Sequence, residues 1–132
     1  MNLKKLTFLF FTTFFLLAPP ILFSQYKKIK KNTWTGTASY YSNKFNGRKT
    51  ANGEIFSNDK LTCANNFLKL GTYIKVTNTK NNLSVVVKVN DRMNKKNKRL
   101  VDLSQRAAKE LKFFKHGLGQ VKIEVVTHQD TE

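Results

Sequence analysis

The stretch TYIKVTNTKNNLSVVVKVN, residues 72–90, decides the fold because apolar residues occur at every second position on both sides of a polar segment. A period of two is typical of β-strands that bury one face. The Asn-rich segment 78–82 predicts a turn between the two strands. The residues predicted to face inward are Ile74, Val76, Val85, Val87 and Val89.

Three further runs have the length and composition of strands and are bounded by Asn, Gly, Asp or Lys. They are TGTASYYS (residues 35–42), KRLVDL (98–103) and QVKIEVV (120–126). Many short strands without long intervening helices predict a mainly β domain, built as a small closed barrel rather than a parallel α/β sheet.

One main short helix is predicted within DLSQRAAKELKFF, residues 102–114. Ser104 is a suitable N-cap because its hydroxyl can accept a hydrogen bond from an amide of the first turn. Gly117 or Gly119 is expected to end the segment. The residues predicted to face inward are Ala107, Ala108 and Leu111.

The N-terminus is typical of a secretory signal peptide, with Lys4 and Lys5 before an apolar run over residues 6–17. The predicted segments are a signal peptide at 1–24, a basic linker at 25–33, the folded domain at 34–127 and a tail at 128–132. We therefore expect export to the periplasm or cell envelope of a bacterium. No cysteine lies near the cleavage point, so we expect neither lipidation nor a stable membrane anchor after cleavage.

The chain carries 24 Lys and Arg against 8 Asp and Glu, a formal charge of +16. Such an excess predicts an anionic partner, although drift of the composition toward Lys and Asn explains it equally well. Export argues against nucleic acid as that partner. The histidines His116 and His128 are not paired with Cys or acidic ligands, and no Gly-rich phosphate loop occurs, so no metal or cofactor is expected. The single cysteine, Cys63, is predicted to be buried.

Carboxylates remain as candidates for chemistry. Glu54 lies in FNGRKTANGEIF, residues 45–56, just after an Asn-Gly turn. Asp91 ends a strand in VNDR, and Asp102 lies two residues before the helix N-cap, Ser104. Taken singly, each has a structural explanation, such as an ion pair with Arg92 for Asp91 or helix-end electrostatics for Asp102.

Several stretches together resemble the rare lipoprotein A (RlpA) family of septal-ring lytic transglycosylases. They are GTASYYSNKFNGRKTANGEIF, LTCANNFLKLGTYIKVTN, VVVKVNDR and RLVDLSQRAAKEL, which extend the resemblance from Gly36 to about Val126. The resemblance implies a six-stranded double-psi β-barrel that cleaves the bond between N-acetylmuramic acid (MurNAc) and N-acetylglucosamine (GlcNAc). The implied substrate is peptidoglycan glycan strands without stem peptides, the product a 1,6-anhydro end, and the role cell-wall organisation. Division-site proteins are a further implied class of partner.

The resemblance also implies the site. The catalytic candidates are Glu54, Asp102 and Asp91, and the candidates for substrate binding are Tyr40, Tyr41, Arg48, Asn52, Asn65 and Arg92. One carboxyl group suffices for this chemistry, because it can protonate the leaving oxygen and then take the proton of the C6 hydroxyl. We expect Phe45 and Phe56 to desolvate Glu54 and raise its pKa.

Two departures from the family pattern separate two functional hypotheses. Asn65 replaces the histidine of the motif TAAH, and the loop after Asp91 reads DRMN instead of DRGP. Asparagine does not titrate near neutral pH, so the alternative to an active enzyme is a non-catalytic, expansin-like module that binds or loosens the wall. A buried Glu54 beside Asp102 would favour the enzyme. An exposed Glu54 with a strip of Trp34, Tyr40 and Tyr41 rings would favour binding alone.

Overall fold

Strands account for most of the regular structure in the computed structural model, which describes residues 32–127. The predicted signal peptide, most of the predicted linker and the predicted tail lie outside the described residues. The strands are β1 (Thr33–Tyr40), β2 (Thr62–Ala64), β3 (Tyr73–Asn78), β4 (Ser84–Asp91), β5 (Val101–Leu103) and β6 (Gly119–Val125). The helices are α1 (Gln105–Glu110) and two short 3-10 helices, Asn43–Phe45 and Phe114–His116.

The six strands form a closed barrel in the order β1-β5-β2-β4-β3-β6. The pairs β1–β5 and β2–β4 are parallel, and the other pairs are antiparallel. The prediction of a mainly β, six-stranded double-psi barrel with one main short helix is confirmed. The strand β1 begins at Thr33, the last residue of the predicted linker.

The predicted alternation of β3 and β4 builds one wall of the core. In the register of this pair, Ile74 lies opposite Val87 and Val76 lies opposite Val85. All four side chains are buried, as is Val89. The residues between them along the strands are more exposed, as the period of two requires, except that Asn90 after Val89 is also buried.

The helix α1 follows β5 directly. The hydroxyl of Ser104 accepts a hydrogen bond from the amide of Ala107 at 3.4 Å, which confirms the predicted cap. The predicted inward residues Ala107, Ala108 and Leu111 are fully buried. Among residues 32–127, no helix is long and apolar enough to cross a bilayer.

Gly117, with φ of 77°, ends the 3-10 helix Phe114–His116 as predicted for the segment, but α1 itself ends earlier, at Glu110. Lys112 adopts a left-handed conformation with φ of 58°. The next amide, of Phe113, donates back to the carbonyl of Ala108 at 3.2 Å, in the pattern of a Schellman motif. Lysine thus occupies the position for which glycine is the usual choice, so no glycine marks this early end.

Replacement of Ser104 by alanine is expected to lower the free energy of unfolding by about 1 kcal/mol, because the buried cap would be lost. Urea unfolding followed by the fluorescence of Trp34, the single tryptophan, measures this. Ser42→Ala is the control, since Ser42 caps an exposed 3-10 helix through a bond of 3.4 Å to Lys44 N. Equal losses in the two variants would contradict the assignment.

Candidate active site

An open groove of about 490 Å³ lies beside the carboxyl end of β4 and the strand β5. Its lining combines two carboxylates, three aromatic rings and four cationic side chains. They are Asp91, Asp102, Tyr41, Phe45, Phe56, Arg48, Lys49, Arg92 and Arg99. Such a mixture of polar and aromatic groups suits a carbohydrate, which presents hydroxyl groups and apolar ring faces together.

The aromatic rings form one side of this groove. The ring centroid of Tyr41 lies 4.3 Å from that of Phe56 and 5.5 Å from that of Phe45. The guanidinium of Arg48 lies over the Phe45 ring, 5.2 Å from its centroid. Tyr41 and Arg48, both predicted to bind substrate, are therefore brought together.

The strip of Trp34, Tyr40 and Tyr41 rings does not form. The hydroxyl of Tyr40 donates to the carbonyl of Phe114 at 2.8 Å, and the two rings stack at 4.6 Å. Trp34 packs on Phe67 with ring centroids 5.0 Å apart. Because adjacent residues of an extended chain point to opposite sides, Tyr40 joins the core and only Tyr41 reaches the groove.

Asp91 accepts hydrogen bonds from three donors. The amides of Ala51 and Arg92 donate to its Oδ1, each at 2.9 Å, and the hydroxyl of Tyr41 donates to its Oδ2 at 2.6 Å. Burial and this bond to Asp91 raise the pKa of Tyr41 well above its ordinary value. Asp91 therefore ties the turn before Glu54 and the Tyr41 ring to the end of β4.

Asp102 is held by side chains. Arg99 donates from Nε to Oδ1 at 2.8 Å and from Nη2 to Oδ2 at 3.2 Å, and Asn97 Nδ2 lies 3.5 Å from Oδ2. The hydrogen bond to Asp102 raises the pKa of Arg99. The Asp102 side chain is 18% exposed and faces the groove.

Glu54 does not line the groove. It forms an ion pair with Lys88 and accepts hydrogen bonds from Asn52 Nδ2 at 2.8 Å and Asn90 Nδ2 at 3.2 Å. These donors, above all Lys88, lower the pKa of Glu54 to about 2. The expected raised pKa is therefore wrong, because donors surround a carboxylate whose side chain is 38% exposed.

The Glu54 contacts fasten the turn 50–54 to β4. The amide of Asn52 donates to the carbonyl of Asn90 at 3.2 Å, next to the bond from Ala51 to Asp91. Gly53, with φ of 87°, supplies the left-handed conformation that this turn needs. Asn52 and Glu54 thus stabilise the turn that presents a donor to Asp91.

The pKa of Glu54 predicts how its contribution to stability depends on pH. A carboxylate whose pKa falls from 4.5 to about 2 on folding stabilises the native state above pH 4.5 and loses this effect as the pH falls toward 2. We expect Glu54→Gln to lower the free energy of unfolding at pH 7, and the difference from wild type to vanish near pH 2. Denaturant unfolding across this range measures it.

Glu124→Gln is the matched control for Glu54→Gln, because Glu124 is similarly exposed and meets Lys122 at 3.2 Å. The same pH dependence in both variants would mean that overall charge, rather than the contacts of Glu54, sets the effect.

Asn65 is fully buried beneath the loop that follows β2. Its Nδ2 donates to the carbonyl of Leu100 at 3.0 Å, and its Oδ1 accepts from the amides of Phe67 and Leu68 at 3.0 and 2.8 Å. Its own carbonyl accepts from Arg92 Nη1 at 2.6 Å. Asn65 therefore shapes the loop and anchors Arg92, which does line the groove, but it does not line the groove itself.

Several residues that organise the site were missed in the sequence. Lys88 lies between the buried residues Val87 and Val89 on β4, and this outward phase was the available signal, whereas Asn90 is buried beside Val89 and breaks the alternation. Arg99 lies three residues before Asp102, a separation that lets the two side chains meet. Within residues 32–127, no three His, Cys, Asp or Glu side chains are grouped so as to hold a metal ion.

The closed six-stranded barrel belongs to the class of double-psi β-barrels, and two aspartates line its groove. The family model described as "Lytic transglycolase" matches residues 33–123, so the chain belongs to this family.

Curated relatives carry the name "Endolytic peptidoglycan transglycosylase RlpA". That of Haemophilus influenzae is 47% identical over 91 residues, which cover 69% of this chain and 32% of the relative. That of Rickettsia bellii is 48% identical over 106 residues, covering 78% and 46% respectively. The chain thus spans less than half the length of these relatives.

Solved structures support the fold alone. The Streptomyces papain inhibitor matches with a TM-score of 0.60 at 20% identity, covering 74% of this chain and 96% of that one. The apo expansin of Clavibacter michiganensis matches with a TM-score of 0.58 at 24% identity, covering 73% and 51%.

Proposed function

We propose that this domain is an endolytic peptidoglycan transglycosylase. It cleaves the MurNAc–GlcNAc bond of stem-free glycan strands and leaves 1,6-anhydro ends, in the service of cell-wall organisation. The observation that carries the proposal is a groove that presents two aspartates, Asp91 and Asp102, beside aromatic and cationic side chains. Membership of the lytic transglycolase family and the names of the relatives support it.

Asp102 is the acid and base of the proposed reaction. Its partners Arg99 and Asn97 are side chains of a loop, so substrate can replace their bonds without breaking the barrel. The carboxylic acid donates its proton to the glycosidic oxygen as the bond from MurNAc C1 to that oxygen breaks. The carboxylate then takes the proton of the C6 hydroxyl as O6 bonds to C1 and closes the anhydro ring. No water is consumed, and the proton taken from the C6 hydroxyl replaces the one given to the leaving oxygen.

In this proposal Asp91 and Glu54 are positioning residues: they hold the groove and the adjacent turn in place and transfer no proton. Asp91 accepts hydrogen bonds from two backbone amides and from Tyr41, and this geometry suits the support of the groove rather than proton transfer. Glu54 holds the turn that supplies one of those amides. Of the predicted binding residues, Tyr41, Arg48 and Arg92 contact substrate. Tyr40, Asn52 and Asn65 instead support the fold and the loops around them.

The proposed setting is the bacterial periplasm or cell envelope. Export follows from the predicted signal peptide at 1–24, and the protein is proposed to act without lipidation. The proposed partners are peptidoglycan glycan strands and division-site proteins, and nucleic acid is not among them.

The second candidate function is a non-catalytic, expansin-like module that binds or loosens the wall. The observation in its favour is that both candidate acids are ion-paired, Glu54 with Lys88 and Asp102 with Arg99, and that Lys88 keeps Glu54 charged. Both candidates use the same groove, so the fold does not separate them. They differ in whether a bond is cleaved.

The decisive experiment incubates the full chain with purified stem-free glycan strands in heavy-oxygen water, followed by mass analysis of the ends. A lytic transglycosylase gives anhydro ends that carry no label, because no water enters the bond. A hydrolase gives reducing ends with the label. Binding of strands with intact ends after long incubation would favour the expansin-like module and overturn the enzyme proposal.

A further inference from the structure

The loop between β4 and β5 is the most strongly charged part of the groove's surroundings. Residues 92–99 read RMNKKNKR and contain five cations and no acid. The loop is ordered by its own asparagines. Asn94 Oδ1 accepts from the amide of Lys96 at 2.9 Å, and Asn97 Oδ1 accepts from the amide of Arg99 at 3.0 Å.

The cations of this loop divide into two kinds. Arg92 is engaged by the carbonyls of Asn65 and Leu68, and Arg99 by Asp102. The lysines of the loop have no ion pair with any acid among residues 32–127. They are Lys95, Lys96 and Lys98, and all three are exposed.

A shallow depression of about 640 Å³ continues from the groove across this loop. Asn97 and Arg99 line both the groove and the depression, and Lys96 and Lys98 line the depression only. A linear polymer that lies across Asp102 therefore reaches the two lysines when it leaves the groove on this side.

We propose that Lys96 and Lys98 form an anion subsite that binds the free lactyl carboxylates of MurNAc residues next to the cleaved bond. This inference rests on the proposed function. A glycan without stem peptides carries one lactyl carboxylate on each MurNAc, whereas a stem peptide converts that group into a neutral amide. Lysines with no acidic partner of their own can pair with the lactyl carboxylate, and the amide offers them no charge at that position.

The test compares two ligands of equal length on the full chain. One is end-labelled stem-free glycan, and the other is the same glycan with its lactyl carboxylates converted to methyl amides. Fluorescence anisotropy measures the affinity of the protein for each ligand at low temperature, where cleavage is slow. Mass analysis of the ligands afterwards confirms that their ends are intact. Because exposed ion pairs are weak, the two lysines are expected to give about a 5-fold preference for the free acid.

The variants localise the effect. Lys96→Gln with Lys98→Gln is expected to bring the preference near to unity while binding of the amide is kept. The control variant, Lys75→Gln with Lys80→Gln, removes the same charge outside the groove and the depression. It is expected to keep the preference for the free acid.

Three outcomes would overturn the inference alone. The first is a preference for the free acid that persists in the Lys96→Gln, Lys98→Gln variant. The second is a preference that falls equally in the Lys75→Gln, Lys80→Gln control. The third is displacement of the labelled stem-free glycan by polyglutamate as effectively as by unlabelled stem-free glycan. The proposed function would survive each of these. Failure of the wild type to bind either glycan or to release anhydro ends would overturn both.

Discussion

Asp102→Asn is expected to lower the release of anhydro ends from stem-free glycan by at least ~10²-fold, the usual scale of general acid–base catalysis. The amide keeps the size of the side chain but cannot transfer a proton. Binding of the glycan is expected to change little, because the groove keeps Tyr41, Arg48 and Arg92. Initial rates from mass analysis of the ends measure the loss.

Two further variants make this result specific. Glu54→Gln is expected to retain much more activity than Asp102→Asn, because Glu54 is paired with Lys88 outside the groove. Asp59→Asn changes an exposed acid of a different cleft and is expected to match wild type. If Glu54→Gln loses as much activity as Asp102→Asn while its unfolding is unchanged, Glu54 is the acid and the assignment of Asp102 is wrong.

The structural effect of Asp102→Asn can be separated from the chemical one. The substitution weakens the ion pair with Arg99, whose side chain is 39% exposed. An ion pair this exposed contributes about 1 kcal/mol or less, so the domain is expected to remain folded. Urea unfolding of the variant checks this directly.

The barrel wall of β3 and β4 could be predicted because burial of one face imposes a period of two on the sequence. Ile74, Val76 and Val87 are buried for this reason, and the outward positions between them are free to be polar. The cap at Ser104 could be predicted as well, since the chemistry of a helix start is local.

The strand β2 could not be predicted from an alternating pattern in the sequence. Thr62, Cys63 and Ala64 are all buried, because β2 lies between β4 and β5 and both of its faces are covered. A run of three buried residues has no alternation to detect. The resemblance to a known family, rather than the pattern, predicted the sixth strand.

The surroundings of Glu54, Asp91 and Asp102 could not be predicted, because they depend on contacts between residues that are far apart in the sequence. Glu54 and Lys88 are 34 positions apart, and their pairing follows from the placement of the turn 50–54 against β4. Asp91 and Asp102 share a groove because β4 and β5 both pair with β2. Sequence identified all three acids but could not tell which of them face the groove.

Leu103 links the stability of the barrel to the groove. It follows Asp102 on β5, is fully buried, and lies opposite Tyr40 of β1 and Cys63 of β2. Its carbonyl accepts a hydrogen bond from the amide of Tyr41 at 3.0 Å. Leu103→Ala is expected to lower the free energy of unfolding by about 2–5 kcal/mol, since truncation leaves a cavity among strands that cannot close around it.

That loss is a large part of the roughly 5–15 kcal/mol that holds a typical domain folded. Urea unfolding followed by Trp34 fluorescence measures it. Val86→Ala is the control, because Val86 lies on the outer face of β4 and is 44% exposed, and a change within about 0.5 kcal/mol is expected there. Activity of Leu103→Ala should follow the folded fraction as temperature rises, since Asp102 itself is intact. A loss below about 1 kcal/mol would contradict a closed core beneath Asp102, because a well-packed leucine cannot be truncated at so small a cost.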